Sequence, residues 1–302
     1  DAASRARAIE ALRRFNERLR TFSPDAVRAV ATNTLRVAKN TEPFLAAAQE
    51  ALGFPIEVIA GREEARLIYV GVAHTLPDPS RQQLVVDIGG GSTEFIIGRN
   101  FEPLQLESLY MGCVSYSLRY FPDGQLTRAG FRDAELAARQ QLELISHTYR
   151  GCGWELAVGS SGSAKALCDL LALNGLAEGG ITRAGLDKLR QLMLKAGHVD
   201  RLRLEGLKAD RLPVLAGGFA IMAALFDALG LDQMVFSDGA LRLGVLYDLL
   251  GRYHRHDLRD ATVSTFLQRY QVERRQAERV AGSAQQLWAS LHPGDAPEDE
   301  RR

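Results

Sequence analysis

The stretch of sequence that decides the fold covers residues 84–97 and reads LVVDIGGGSTEFII. An apolar run precedes three glycines and two hydroxyl side chains, and a second apolar run follows them. Two apolar strands joined by a glycine turn are typical of a β-hairpin. We therefore predict strands at 84–88 and 94–97, with the glycines in the turn between them.

The polar residues of this hairpin indicate phosphate and metal chemistry. Glycine lets backbone N–H groups approach a phosphate that a Cβ would block. Asp87 ends a buried strand and offers the hard oxygen ligand that Mg²⁺ prefers, and Glu94 begins the return strand, where its carboxylate can face the same ion or its waters. The alternative is a plain glycine hairpin, which needs no carboxylate on either side of its turn. The candidate phosphate-binding residues here are Gly89, Gly90, Gly91, Ser92 and Thr93.

Strand and helix patterns alternate on both sides of the hairpin, which indicates an α/β fold. Before the hairpin we predict helices at 1–20, 41–52 and 62–72 and strands at 26–31 and 56–59. After it we predict a helix at 127–149. Three further segments, at 156–163, 213–229 and 234–250, each show the pattern of a strand, a small-residue turn and the start of a helix or a whole helix. From residue 258 onward the pattern is helical and increasingly charged.

Glu64 is a further candidate, and the sequence leaves its role open. It lies in the first turn of a predicted helix, where an acidic residue is also favoured by the helix dipole. Glu63 stands beside it, and composition does not choose between the two.

Two other segments combine small and polar residues at the end of a strand. One offers hydroxyl, amide and guanidinium groups suited to phosphate, and the other resembles an anion-binding turn at a helix start. A plain capping turn explains either segment equally well. Their candidate phosphate-binding residues are Thr32, Asn33, Thr34 and Arg36 in the first, and Gly159, Ser161, Gly162 and Ser163 in the second.

Composition excludes several classes of protein. Lys plus Arg and Asp plus Glu each number 37, and this zero net charge argues against DNA as a partner. We see no uninterrupted apolar run of about 18 residues, so we expect no transmembrane segment. Three cysteines without a CxxC pair predict no disulfide framework and a cytoplasmic location, with peripheral membrane contact left open. The six histidines show no metal-binding spacing.

Five motifs occur in the order in which they occur in the exopolyphosphatase/guanosine pentaphosphate phosphohydrolase family. They lie at 32–36 (TNTLR), 61–66 (GREEAR), 86–94 (VDIGGGSTE), 111–114 (MGCV) and 237–242 (SDGALR). The chain resembles that family over essentially its whole length, and bacterial exopolyphosphatase most of all. The resemblance implies the two-domain fold shared by actin, sugar kinases and Hsp70-type ATPases. We expect one domain in 1–76, a second in 77–250 and the start of a helical C-terminal region in 251–302.

The resemblance also assigns roles to individual residues. It implies that Glu64 is the catalytic base and that Asp87 and Glu94 serve a Mg²⁺ or Mn²⁺ ion. It places Ser161, Gly162 and Ser163 in a phosphate-binding turn. We therefore expect Glu64, Asp87, Glu94 and the glycine turn to line one cleft.

Two departures from the family pattern bear on function. The family's first phosphate loop is absent, and the helical C-terminal region stops soon after it begins, so we interpret the chain as a fragment. Our main hypothesis is a hydrolase that releases terminal phosphate from inorganic polyphosphate. Hydrolysis of the 5′-phosphate of pppGpp is the first alternative, and a non-catalytic sensor of polyphosphate or nucleotide is the second. The resemblance leaves a homodimer open.

Overall fold

The computed structural model describes residues 2–253, 267, 270 and 272–291. These residues form two compact units, of which the first ends at Leu250 and the second begins at Gly251. The second unit contains the helix Arg274–Leu291, which agrees with the helical pattern predicted for this region. The rest of the region predicted as helical after residue 258 lies largely outside the described residues. The predicted boundary between 76 and 77 stays a prediction.

The first part of the chain alternates between helix and strand, as the sequence predicts. The two strands pair in parallel, and α3 ends at Gly53, whose left-handed φ of 78° suits glycine. The elements are α1 (Ala2–Leu19), β1 (Ala29–Ala31), α2 (Asn33–Val37), α3 (Thr41–Leu52), β2 (Ile56–Val58) and α4 (Gly61–Ala73).

A six-stranded sheet forms the centre of the first unit, in the order β5-β4-β3-β6-β8-β7. The predicted hairpin is confirmed, and a third antiparallel strand that the sequence analysis missed extends it. Parallel strands β6 and β8 continue the sheet from β3. The strands are β3 (Gln83–Ile88), β4 (Thr93–Arg99), β5 (Glu102–Leu109), β6 (Leu156–Ser160), β7 (Ile181–Thr182) and β8 (Gln233–Phe236).

Helices cover both faces of this sheet. On one face α4 packs against β4 and β5, and the ring of Tyr69 lies over Gly98. On the other face lies the main hydrophobic core, where the Tyr149 hydroxyl donates to the Phe95 carbonyl at 2.8 Å. The remaining helices are α5 (Cys113–Tyr120), α6 (Arg128–Cys152), α7 (Ser161–Leu173), α8 (Arg183–Ala196), α9 (Leu215–Leu229), α10 (Leu241–Tyr253) and α11 (Arg274–Leu291).

The strand predicted at the start of the 213–229 segment is wrong. A short 3-10 helix, Leu212–Val214, runs directly into α9 instead. Gly217 lies in the first turn of α9 and packs tightly against α5, where its N–H donates to the Ser117 hydroxyl at 3.0 Å. The two glycines of this segment therefore serve helix packing and do not form a strand-ending turn.

The segment Leu212–Leu229 differs from the statement that the sequence has no apolar run of about 18 residues. The stretch Leu212–Leu229 is long and apolar enough to cross a membrane, with a mean hydropathy of 1.9. Within the fold 72% of it is buried, and α9 packs against α5 and α6. A buried core helix can be as long and as apolar as a membrane-spanning helix, and α9 lies in the hydrophobic core.

Candidate active site

Four polar side chains form a row across four neighbouring strands at one end of the sheet. Glu94 of β4 stands directly opposite Asp87 of β3 in the antiparallel pair. Ser108 of β5 is the partner of Glu94, and Ser160 of β6 is the partner of Asp87. Paired residues on adjacent strands point to the same face of a sheet. The row therefore places two carboxylates side by side with a hydroxyl beyond each.

The two outer serines donate to the two inner carboxylates. Ser160 Oγ lies 2.5 Å from Asp87 Oδ2, and Ser108 Oγ lies 2.8 Å from Glu94 Oε1. All four residues are at least half-buried, and Glu94 is only 1% exposed. A hydroxyl that donates to a buried carboxylate favours its charged form and fixes its orientation.

Glu64 approaches this row from α4. It lies in the first turn of that helix and is buried. Its Oε2 accepts from Arg36 Nη1 at 2.7 Å, and the same nitrogen donates to the Ile59 carbonyl at 3.0 Å. Gly61 opens the helix with its Cα so near Ser108 that a Cβ would lie 2.6 Å from that side chain. The absence of a side chain at Gly61 lets α4 begin close to the row.

The electrostatics of the three acids reflect burial and proximity. Burial raises the pKa of Asp87 to about 6; the Ser160 hydrogen bond opposes this rise and the charge of Glu64 adds to it. Burial, and then the charge of Glu64, raise the pKa of Glu94 to about 8, with a smaller rise from Asp87. Burial also raises the pKa of Glu64, and Arg36 counteracts that effect. The site thus concentrates three carboxyl groups, of which Glu64 is paired with Arg36.

The residues of the row fit a hard divalent cation that is shared with substrate. Among the described residues no group of three or more His, Cys, Asp and Glu side chains is arranged to hold a metal ion. Mg²⁺ is commonly held by one or two carboxylates together with substrate phosphates and water, so Asp87 and Glu94 match that pattern. Their raised pKa values show that burial and neighbouring charge disfavour the ionised form of both carboxyls, an effect that a bound cation would offset.

The glycine turn between β3 and β4 is anchored by the start of α5. The carbonyl of Gly89 accepts from Cys113 N at 2.9 Å, and the carbonyl of Gly90 accepts from Val114 N at 3.0 Å. Gly112 lies against the Gly90–Gly91 peptide, and a Cβ there would overlap it. In the part of the chain that the structure describes, the N–H groups of Gly90 and Gly91 have no acceptor. The turn therefore presents backbone donors, as an anion-binding turn does.

Comparison with known proteins identifies the family of the chain. Residues 2–253 match the Ppx/GppA phosphatase family. The chain belongs to this family. Two curated relatives, from Aeromonas hydrophila and Aeromonas salmonicida, are both named guanosine-5′-triphosphate,3′-diphosphate pyrophosphatase, and each is 42% identical to it over 294 residues. The matches cover 96% of this chain and 58% of each relative, so the chain spans little more than half of their length.

Solved structures of the Ppx/GppA family share the fold. The structure of the Aquifex aeolicus PPX-GPPA enzyme superposes with a TM-score of 0.65 at 26% identity, and the match covers 80% of this chain and 81% of that one. The expected actin-like α/β fold is thereby confirmed, and so is the family that the motifs indicate.

The first polar segment of the Ppx/GppA motif set, 32–36, contributes to the site unevenly. The Asn33 amide lies against Gly91, and its buried Oδ1 has no hydrogen-bond partner among the residues that the structure describes. Arg36 pairs with Glu64, and the phosphate contact predicted for it stays a prediction. Thr34 is exposed, and Thr32 occupies the N-cap position of α2 without a side-chain hydrogen bond to the helix.

The second segment, 159–163, also divides into two parts. Gly159 belongs to β6, where a Cβ would lie within 2.9 Å of Ala164 and Met234, and its place in a phosphate turn stays a prediction. The next residues do open α7: Ser161 adopts a left-handed φ of 84°, and Gly162 lies under the guanidinium of Arg211. The Ser163 hydroxyl donates a hydrogen bond to the Ile88 carbonyl at 3.2 Å.

Within the glycine turn the two hydroxyl residues are buried. The Thr93 hydroxyl donates to the Met111 carbonyl at 2.6 Å, and the Ser92 hydroxyl lowers the pKa of Glu94. The phosphate contacts predicted for both residues stay predictions.

The last Ppx/GppA motif, 237–242, begins beside the row, where the Ser237 N–H donates to the Gly159 carbonyl at 3.0 Å. Gly239 packs against the backbone of Gly71 in α4, and the Ser237 hydroxyl lies 2.7 Å from that of Thr75. This motif therefore holds α4 against the start of α10.

The sequence analysis did not include Ser108 and Ser160 among the candidate site residues. Ser108 lies 14 residues beyond Glu94, and the register of β4 and β5 brings the two together. Ser160 lies within the segment 159–163, and its position at the end of a strand was the available signal.

Proposed function

We propose that the chain forms the phosphate-binding and catalytic part of a hydrolase that removes the terminal 5′-phosphate of pppGpp. The observation that carries the proposal is the buried row of Asp87 and Glu94, with Glu64 beside it and the glycine turn at its end. A donor-rich turn next to clustered carboxylates suits a phosphorylated substrate that arrives together with a cation.

Each group has a distinct task in this proposal. The N–H groups of Gly90 and Gly91 hold oxygens of the terminal phosphate. Asp87 and Glu94 hold Mg²⁺, which, when bound, supplies positive charge to offset the charge of the phosphoryl oxygens. Glu64 accepts a proton from the attacking water and orients that water in line with the bond that breaks. Its raised pKa brings its basicity nearer to neutral pH, where a general base acts best.

The arrangement also explains why Arg36 accompanies the base. A carboxylate buried beside two others would keep its proton without a counter-charge. Arg36 supplies that counter-charge at 2.7 Å and keeps the rise in the pKa of Glu64 in check. Its second bond, to the Ile59 carbonyl, fixes the guanidinium in place.

The choice of pppGpp over inorganic polyphosphate is supported by the two Aeromonas relatives. Both Aeromonas relatives carry a name that specifies a guanosine 5′-triphosphate 3′-diphosphate substrate. The main hypothesis from the sequence, terminal cleavage of polyphosphate, uses the same chemistry at the phosphorus atom. The two differ only in what binds beyond the terminal phosphate.

The test is to measure phosphate release from pppGpp and from polyphosphate side by side, with the whole protein and Mg²⁺. We expect stoichiometric conversion of pppGpp to ppGpp, with kcat/KM higher than for polyphosphate and lost in excess chelator. A higher kcat/KM for polyphosphate would return the assignment to exopolyphosphatase. Tight binding of either compound without phosphate release would support the sensor hypothesis and overturn the proposal.

A further inference from the structure

A second cluster of charged residues lies within the first unit, behind the turn that carries Glu64. Asp248 of α10 is 2% exposed and bridges two buried arginines. Its Oδ1 accepts from Arg66 Nη2 at 2.6 Å, and its Oδ2 accepts from Arg28 Nη1 at 2.6 Å. The two arginine side chains are each only 4% exposed. Asp248 therefore joins α10 to α4 and to the start of β1.

The cluster includes Glu63, the residue next to Glu64. Arg66 grips Glu63 through two hydrogen bonds of 2.8 Å each, and Arg28 Nη2 lies 3.8 Å from the same carboxylate. Arg28 also forms a two-bonded pair with Glu57 of β2 at 3.0 and 3.1 Å. Adjacent residues of a helix point about 100° apart. Glu63 is thus held by this cluster while Glu64 turns toward Arg36 and the carboxylate row.

The first turn of α4 has no side-chain cap. Its N-cap residue is Ala60, which has no side chain able to cap the helix, and Gly61 follows it. An N-cap side chain normally fixes the start of a helix by accepting from its free N–H groups. Side-chain contacts anchor this turn instead: the pair of Arg62 with Glu107 lies at the surface, and those of Glu63 and Glu64 are less exposed.

We propose that Asp248 is a positioning residue for Glu64: through Arg66 and Glu63 it fixes the first turn of α4 and so sets where the Glu64 carboxylate stands. The inference rests on the proposed function for its catalytic consequence. A buried two-bonded arginine pair holds its partner in a narrow geometry, and breaking it leaves uncompensated charge that the turn must move to relieve.

The test compares Asp248→Asn with Glu135→Gln in the whole protein. Glu135 is a matched control because it is also a buried carboxylate held by two arginines: its Oε1 lies 2.5 Å from Arg190 and its Oε2 lies 3.5 Å from Arg139. It lies on α6, on the far side of the sheet from α4. Both changes remove one buried negative charge and keep the shape of the side chain.

We expect Asp248→Asn to lower kcat on the order of 10–100-fold with KM changed by no more than about twofold, because a misplaced base costs rate and leaves ground-state binding intact. Glu135→Gln should lose stability and keep kcat. Equal kcat values for the two variants would overturn the proposal. Should Asp248→Asn fail to fold, Glu63→Gln breaks the same connection at a residue whose side chain is 30% exposed, with the same expected result.

A second readout does not depend on catalysis. The Glu64 N–H donates to the Ala60 carbonyl at 2.9 Å, so its hydrogen exchange reports on the first turn of α4. We expect exchange there to speed up in Asp248→Asn and to stay unchanged in Glu135→Gln. Uniform acceleration over the whole fold would reduce Asp248 to a purely structural residue. If Glu64→Gln retains full turnover the proposed function fails, and the exchange comparison still decides whether Asp248 holds the turn.

Discussion

Asp87 and Glu94 stand directly opposite each other on β3 and β4, so that two buried carboxylates face the same side of the sheet. Neighbouring like charges in a buried site disfavour ionisation, and the charge of Glu64 raises the pKa of both. A protein retains such an arrangement only when something offsets its cost. In the proposed function a cation shared with the substrate would offset that cost at this end of the sheet.

The first prediction concerns the serines at the ends of the row. Ser108→Ala and Ser160→Ala each remove a hydroxyl that orients a proposed metal carboxylate and favours its charged form. Loss of such a supporting contact typically costs about 10–100-fold in metal affinity. We expect that loss for Mg²⁺ in a titration of each variant, with the fold retained. Ser80→Ala, an exposed serine that contacts only Asp78 among the described residues, is the control and should leave affinity unchanged.

The second prediction concerns stability against pH in excess chelator. The folded protein holds the proton of Glu94 up to a pKa of about 8, whereas the unfolded chain releases it near the ordinary value of 4.5. The folded state therefore binds more protons in this window, and stability falls as pH rises from 4.5 through 8. We expect the melting temperature to decline over that range and the decline to flatten in Glu94→Gln. An identical slope in both proteins would contradict the assignment.

The third prediction concerns Gly112. A Cβ there would overlap the Gly90–Gly91 peptide, so Gly112→Ala should displace the glycine turn. We expect a fall in kcat/KM on the order of 100-fold, because catalysis is sensitive to displacements of about 1 Å. The control is Gly151→Ala in α6, where no other atom lies within 4 Å of the added Cβ and the helix gains a better former. Retained activity in Gly112→Ala would show that the turn tolerates the shift.

The fourth prediction concerns Arg36. Arg36→Gln removes the charge that opposes the burial of Glu64, so the pKa of that base should rise further. The acidic limb of the pH–rate profile for kcat/KM, which reports this ionisation, should then move to higher pH. The control is Arg62→Gln on α4, the helix that carries Glu64. Arg62 is exposed and pairs with Glu107, so this change should leave the pH–rate profile in place. An unaltered pH–rate profile in Arg36→Gln would show that the Arg36–Glu64 ion pair does not control the ionisation on which the reaction depends.

Much of the fold could be predicted because hydrophobic periodicity reports local structure directly. The hairpin at Asp87 and Glu94, the order of helices and strands before it and the long helix α6 all follow from such patterns. The false strand before Gly217 shows the limit. A short apolar run next to glycines is ambiguous between strand and helix, and packing against α5 decides it.

The site was predictable only in its chemistry-bearing residues. Asp87 and Glu94 could be paired from the hairpin pattern, since they flank one turn. The contacts that organise them are distant in sequence: Ser160 lies 73 residues from Asp87, and Asp248 lies 182 residues from Arg66. Strand register and helix packing create these contacts, and neither leaves a local signal in the sequence.

The structure changes the choice of control for the variant Glu64→Gln. From the sequence, Glu63→Gln would be a silent neighbour of Glu64→Gln. The structure places Glu63 in the cluster with Arg66, Arg28 and Asp248, so its loss should disturb the turn that carries Glu64. Glu107→Gln, a half-buried carboxylate on β5 that pairs with the exposed Arg62, is a better control.

The most direct measurement is therefore the turnover of Glu64→Gln beside Glu107→Gln, together with the affinity of each for substrate and Mg²⁺. Glutamine keeps the size of Glu64 and can still accept from Arg36, and it cannot take a proton from water. We predict that kcat falls by about 10²–10⁴-fold in Glu64→Gln while binding survives, as expected for loss of a general base. Normal turnover in Glu64→Gln would contradict the account, because the buried acid beside the row would then have no part in the reaction.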